Sequence, residues 1–144
     1  MKDHKDNFNN QSKCRLINPT KSNIGKKNKI VLENINGNIK EQLKVNQWRN
    51  TNDVLKWFTA LPDKKSLTFI CFDIVEFYPS ITQELLGKAL KFASNYCNIT
   101  ADDEQIIMST KKSVLVNNGD IWCKKNGTFD VAMGSYDGAE TCEL

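Results

Sequence analysis

The chain has 144 residues, of which 40% are apolar and 26% charged. That is enough for one modest domain and too apolar for wholesale disorder. No run approaches the roughly 20 apolar residues of a membrane span, and the polar opening of residues 1–11 lacks the apolar stretch of a secretory leader. The net charge of +3 hides an asymmetry: residues 1–66 hold 14 Lys/Arg against 6 Asp/Glu, net +8, whereas residues 67–144 hold 6 against 11, net −5. A basic lobe beside an acidic one suits a protein that binds phosphate and uses metal, although a basic solvated tail on an ordinary domain has the same arithmetic.

In chain order, residues 1–12 read as a frayed terminus, and residues 14–17 (Cys-Arg-Leu-Ile) as a short strand stopped by Asn18-Pro19. A loop over residues 20–25 leads to a helix over residues 29–43, with Leu32, Ile35, Ile39 and Leu43 at helical spacing and Gly37 weakening it. A short second helix is expected to be capped by Thr51 or Asn52 and to end at Leu61-Pro62. Residues 67–72 (Leu-Thr-Phe-Ile-Cys-Phe) are apolar nearly throughout and predict a central strand with both faces covered. Ser80 and Gln83 have capping-box spacing before a helix with Leu85, Ala89, Phe92, Ala93 and Tyr96 on one stripe. Thr100, with Asp103 three residues on, opens another helix carrying Ile106 and Ile107. Asn118-Gly119 and Asn126-Gly127 are hairpin turn signals, and residues 133–144 begin in a Gly-Ser turn that opens a helix.

Cysteines stand at 14, 71, 97, 123 and 142 with no Cys-x-x-Cys, and the one histidine, His4, lies in the polar terminus. This argues against a zinc site, a disulfide scaffold or a Cys-His nucleophile, and for reduced, mostly buried thiols in an intracellular protein.

Asp73 is the first candidate for chemistry. A carboxylate at the end of a buried strand is costly unless neutralised, and a divalent metal is one partner that would do so, with the Ile74 carbonyl as a second oxygen. The structural alternative is an Asp that caps a turn, and Glu76 reads as a surface acid.

The neighbours favour the metal. Asp-Ile-x-x-Phe-Tyr-Pro-Ser-Ile, from Asp73 to Ile81 after an apolar strand, resembles motif A of reverse transcriptases, most of all those of retrons, group II introns and Penelope-like elements. The resemblance implies that Asp73 is catalytic and binds Mg²⁺. It also implies that Tyr78 packs against the sugar of the incoming nucleotide and excludes a 2′-hydroxyl; the alternative is a core Tyr with its hydroxyl paired. Upstream, Lys13-Cys-Arg-Leu-Ile-Asn-Pro-Thr-Lys21 is similar to the fingers motif that brings a basic residue to the triphosphate, which would be Arg15 and then Lys21. Arg suits that role because its planar fork grips phosphate oxygens in pairs. A solvated basic hairpin is the alternative. Downstream, Met133-Gly-Ser-Tyr-Asp-Gly-Ala-Glu-Thr-Cys-Glu-Leu144 is similar to motif B, in which Gly134 would allow close backbone approach and Ser135 would bond a base or sugar. Tyr136 and Ala139 stand where that motif usually has proline.

The fold so implied is α+β: part of a right-hand polymerase, with a basic fingers-like region over residues 13–66 and a partial palm over residues 67–144. A small antiparallel sheet would carry residues 67–72 and a strand near Val131, with helices on one face. The implied function is RNA-directed DNA polymerisation by two-metal nucleotidyl transfer, in a mobile element. The partners would be an RNA template, a DNA primer and deoxynucleoside triphosphates, with no membrane. The family's second metal-binding strand, Tyr-x-Asp-Asp, follows motif B and is not met before Leu144; Asp102-Asp103 fits a helix start instead. The chain by itself is therefore expected not to extend a primer. A different reading is a non-catalytic nucleic-acid-binding remnant of such a polymerase.

Overall fold

The computed structural model describes residues 22–45, 47–123 and 127–144. The expected frayed terminus, the strand over residues 14–17, and the second hairpin signal at Asn126 fall outside the described residues. Six helices and two short strands follow in the order α1 (Asn23–Leu43), α2 (Thr51–Ala60), α3 (Phe77–Ser80), α4 (Gln83–Ala93), α5 (Ala101–Ser109), β1 (Leu115–Asn117), β2 (Asp120–Trp122) and α6 (Gly138–Glu143). A single 3-10 turn, Lys64–Ser66, lies between α2 and α3. The mixture of helix with a small antiparallel sheet is α+β in the coarse sense.

Helix α1 begins six residues before the expected Lys29. Ser22 caps it by accepting a hydrogen bond from the Gly25 amide, and Gly25 is buried where an added Cβ would lie 3.4 Å from the Tyr136 Cβ. The Ser22 cap, which the spacing of apolar residues does not reveal, sets this earlier start. Lys44, in the left-handed conformation, closes its other end. Gly37 is exposed with open space around it, so it lowers helix propensity without breaking the helix.

The cap of α2 is Asn50, not Thr51 or Asn52: its side chain accepts from the Asp53 amide, while the Asp53 carboxylate accepts from the Arg49 amide. At α4 the cap is Thr82, which accepts from the Leu85 amide. Ser80 instead donates its hydroxyl to the Phe77 carbonyl and closes α3. The buried face of α4 is Leu86, Leu90 and Ala93. Of the expected stripe only Ala93 is buried, while Leu85 and Phe92 are exposed. The helix is apolar on two sides, and packing chooses between them. Thr100 and Asp103 form the expected reciprocal capping box on α5, which accounts for Asp103 as a structural acid.

The core gathers Leu32 and Ile35 of α1, Ile81, Leu86 and Leu90 around α4, Ile107 of α5, and Val131. Strands β1 and β2 pair antiparallel, Asn117 opposite Asp120, through Asn118-Gly119 with both turn residues at positive φ. This is the two-residue hairpin the dipeptide demands. The hairpin is rooted by Lys111–Ser113 against 128–130: Asp130 donates its amide to the Lys111 carbonyl and Ser113 its amide to the Thr128 carbonyl, both at 2.7 Å.

Residues 67–72 do not form a strand, and the segment at Val131 does not either. The sheet expected to hold both is absent among the described residues. The run at 67–72 has no regular secondary structure and is exposed, with Ile70 75% and Phe72 91% accessible. The physical reason is cooperative: a strand exists only through the ladder of a neighbour, and no described segment pairs with this one. Val131 is buried, as a plug in the helical core. The described cysteines are also less hidden than expected: Cys71 and Cys123 are exposed, Cys97 and Cys142 half-buried, all free thiols. Cys71 and Cys123 lie in the uncovered run and just past the exposed hairpin, which explains their exposure.

Candidate functional site

The acidic last helix docks on the basic first one. Lys29 meets Glu140 at 2.9 Å, Lys40 pairs with Glu143, and the Asn36 side-chain amide donates to the Glu140 carbonyl at 2.9 Å. The charge asymmetry of the sequence is thus partly spent inside the molecule. Glu140 holds the Lys29 ammonium above its usual pKa, mainly by their hydrogen bond. Lys26 and Lys27, on the same helix, stay exposed.

Beneath that surface lies a buried ion pair that the sequence did not announce. The Lys111 ammonium donates to the Asp137 carboxylate at 2.7 Å, with the two residues 1% and 3% exposed. Asn28, fully buried on α1, donates its amide to the same carboxylate and to the Thr110 hydroxyl. Three elements meet there: α1, the exit of α5 and the turn that enters α6. Burial alone would raise the Asp137 pKa, but the hydrogen bonds and charge of Lys111, with the Asn28 amide, hold it below the ordinary carboxylate value. Burial pushes the Lys111 ammonium downward against the pull of Asp137. The pair was hidden because Lys111-Lys112 reads as two surface cations; of the two, only Lys111 is buried. The one signal was an acid, Asp137, between Tyr136 and Gly138.

That clamp fixes the turn carrying the motif B-like residues. Gly134 has a φ of 83°, the left-handed region that favours glycine. Ser135 points its hydroxyl into the turn, buried and without a hydrogen-bond partner. Gly138 is walled in: a Cβ there would lie 2.6 Å from the Ser135 Oγ and 3.3 Å from both the Ala132 carbonyl oxygen and the Tyr78 Cε1. Tyr78 of α3 therefore packs edge-on against the start of α6. Burial, then the nearby Cys142 thiol, raises the pKa of its hydroxyl. Burial raises the Cys142 thiol as well. This is the geometry of a packing tyrosine; any contact with a nucleotide sugar would fall on the part of the ring that stays half-exposed.

Of the residues singled out by sequence, Tyr78, Gly134 and Ser135 are brought into one neighbourhood. Asp73 is exposed just after residues 67–72, makes no hydrogen bond or ion pair among the described residues, and is followed by exposed Ile74. Glu76, at a φ of 52°, is the turn into α3. Arg15 and Lys21 lie outside the described residues. Among the described residues no group of three or more His, Cys, Asp or Glu stands ready to hold a metal ion, and no described helix is long and apolar enough to cross a membrane.

Comparison with known proteins gives no family model that matches the chain, no matching curated protein and no matching solved structure.

Proposed function

We propose that this chain is a reverse-transcriptase-like domain, the fingers and part of the palm of an RNA-directed DNA polymerase from a mobile element. The observation that carries this reading is the meeting of two motif-like segments remote in sequence: Tyr78, five residues after Asp73, packs on Gly138, four residues after Gly134. In this reading Asp73 and the Ile74 carbonyl give oxygen ligands to Mg²⁺, Arg15 and Lys21 hold the triphosphate of a deoxynucleotide, and Gly134 and Ser135 border the path of template and nucleotide. Oxygen donors are what magnesium prefers, but one carboxylate and one carbonyl are an arm of a metal centre and not a whole one. When bound, the metals would activate the primer hydroxyl and neutralise the triphosphate.

A second reading, a non-catalytic nucleic-acid-binding remnant, is favoured by the exposed Lys26 and Lys27 beside the basic residues that precede them. Titration of the full chain with an RNA–DNA hybrid tests what the two share: binding is expected to weaken as salt rises, and absence of binding at low salt overturns both. Magnesium-dependent binding of a deoxynucleoside triphosphate, lost in Asp73→Asn, is expected only of the polymerase reading. Its absence in the parent chain overturns that reading and leaves the remnant.

A further inference from the structure

Residues 67–72 carry no charge, no proline and no glycine, and consist of residues that favour strands. Leu67, which opens the run, is in the extended conformation, and the backbone groups of residues 67–72 bond to no other described segment. On one side of the run the Phe69 ring lies 5.9 Å from Trp57 and 6.1 Å from Phe58 of α2, centroid to centroid. On the other side Ile70 and Phe72 face outward. Native proteins protect such edges with charge, proline or a covering element; here the charges stand only at the ends.

Those end charges select an occupant. Lys64 and Lys65 precede the run, and Asp73 and Glu76 follow it. A second copy laid parallel would set like charges side by side. A second copy laid antiparallel sets the lysine end of each run against the acidic end of the other. We infer that residues 67–72 are a self-pairing strand, through which two copies of this chain join antiparallel about a two-fold axis at Phe69. In that register Phe69 faces Phe69 of the second copy once, on the axis, while Thr68 faces Ile70 and Leu67 faces Cys71 twice by symmetry, and the turn Lys64–Ser66 before each run brings Lys65 to the Asp73 end of the other. Cross-strand aromatic and opposite-charge pairs both favour this alignment. The proposal does not rest on the polymerase reading, since it needs neither nucleic acid nor metal.

Sedimentation of the full chain over a range of concentrations, without nucleic acid or divalent cation, is the test. A monomer–dimer equilibrium is expected, with amide exchange at residues 67–72 slowing as dimer forms. Ile70→Lys puts a charge on the outward side and is expected to weaken the dimer at least about tenfold. Lys65→Glu and Asp73→Lys singly are each expected to weaken it by about tenfold, and the double reversal to restore it, because the same pairs re-form with exchanged signs. A chain that stays monomeric throughout, a dimer indifferent to Ile70→Lys, or a double reversal no better than the single ones overturns the proposal.

Discussion

The molecule contains two apolar regions of opposite fate, one aliphatic and one mostly aromatic. Leu32, Ile35, Leu86, Leu90 and Ile107, contributed by helices α1, α4 and α5, are buried together. From residue 47 to residue 80 no residue is buried at all, although the stretch includes Trp48, Trp57, Phe58, Phe69, Ile70 and Phe72. Its aromatic rings meet one another, Trp48 against Trp57 at 4.7 Å and Trp57 against Phe69 at 5.9 Å, and the Lys64 ammonium lies over the Phe58 ring at 5.7 Å. Apolar content is therefore no measure of burial. A helix brings its own hydrogen bonds and needs only a face to pack, whereas an extended segment needs a partner for its backbone before its side chains can be covered. The first region also holds the charged groups that cost most to bury, Lys111 and Asp137, each with the other as partner.

The sharpest way to break the contrast is to unbalance the buried pair. Asp137→Asn leaves the Lys111 ammonium without its counter-charge and is expected to cost about 3–5 kcal/mol, read by denaturant unfolding, whereas Lys111→Met combined with Asp137→Leu recovers most of it. Near-equal losses in the single and double variants would show that the turn, and not the charge, is what matters. Gly138→Ala is expected to cost about 1–3 kcal/mol in the same measurement, because its methyl group meets Ser135, the Ala132 carbonyl and Tyr78 in a space with no slack.

A gentler effect comes with acid. The native Asp137 carboxyl holds its proton less tightly than the ordinary value of 3.8. The unfolded chain therefore takes up that proton first as pH falls. The stability contributed by the pair is complete above that value and declines as pH drops through it toward the lowered native value. Melting curves across that range are expected to steepen in their pH dependence for the parent and to lose this contribution in Asp137→Asn. Smallest of all, Phe72→Ala should change the stability of the dilute monomer by no more than about 0.5 kcal/mol, since a ring 91% exposed gives up almost no packing. A loss of several kcal/mol there would mean that the run is covered after all and would erase the contrast.

Much of the local structure was legible. The Thr100–Asp103 box, the Asn118-Gly119 hairpin and the α1 face at Leu32 and Ile35 follow from chemistry within a few residues, and each stands where the pattern put it. The caps of α2 and α4 were missed because several Asn, Ser and Thr residues compete at each site, and the winner depends on how the preceding chain arrives. The candidate site was legible in part: Tyr78, Gly134 and Ser135 were singled out, while Asn28, Lys111 and Asp137 were not. No short-range signal separates a buried lysine from a solvated one; Lys111 and Lys112 are neighbours of the same type with different surroundings.

By itself, then, the sequence determined the start of α5 at Thr100, where the hairpin turns and which half of the chain is basic, because a capping box, turn geometry and charge act over a few residues. Tertiary structure alone decided which side of α4 is hidden, that Lys111 and Asp137 meet in the interior, and that residues 67–72 stay uncovered. Each of those outcomes depends on what another segment offers in space: a face, a counter-charge, or a strand to pair with.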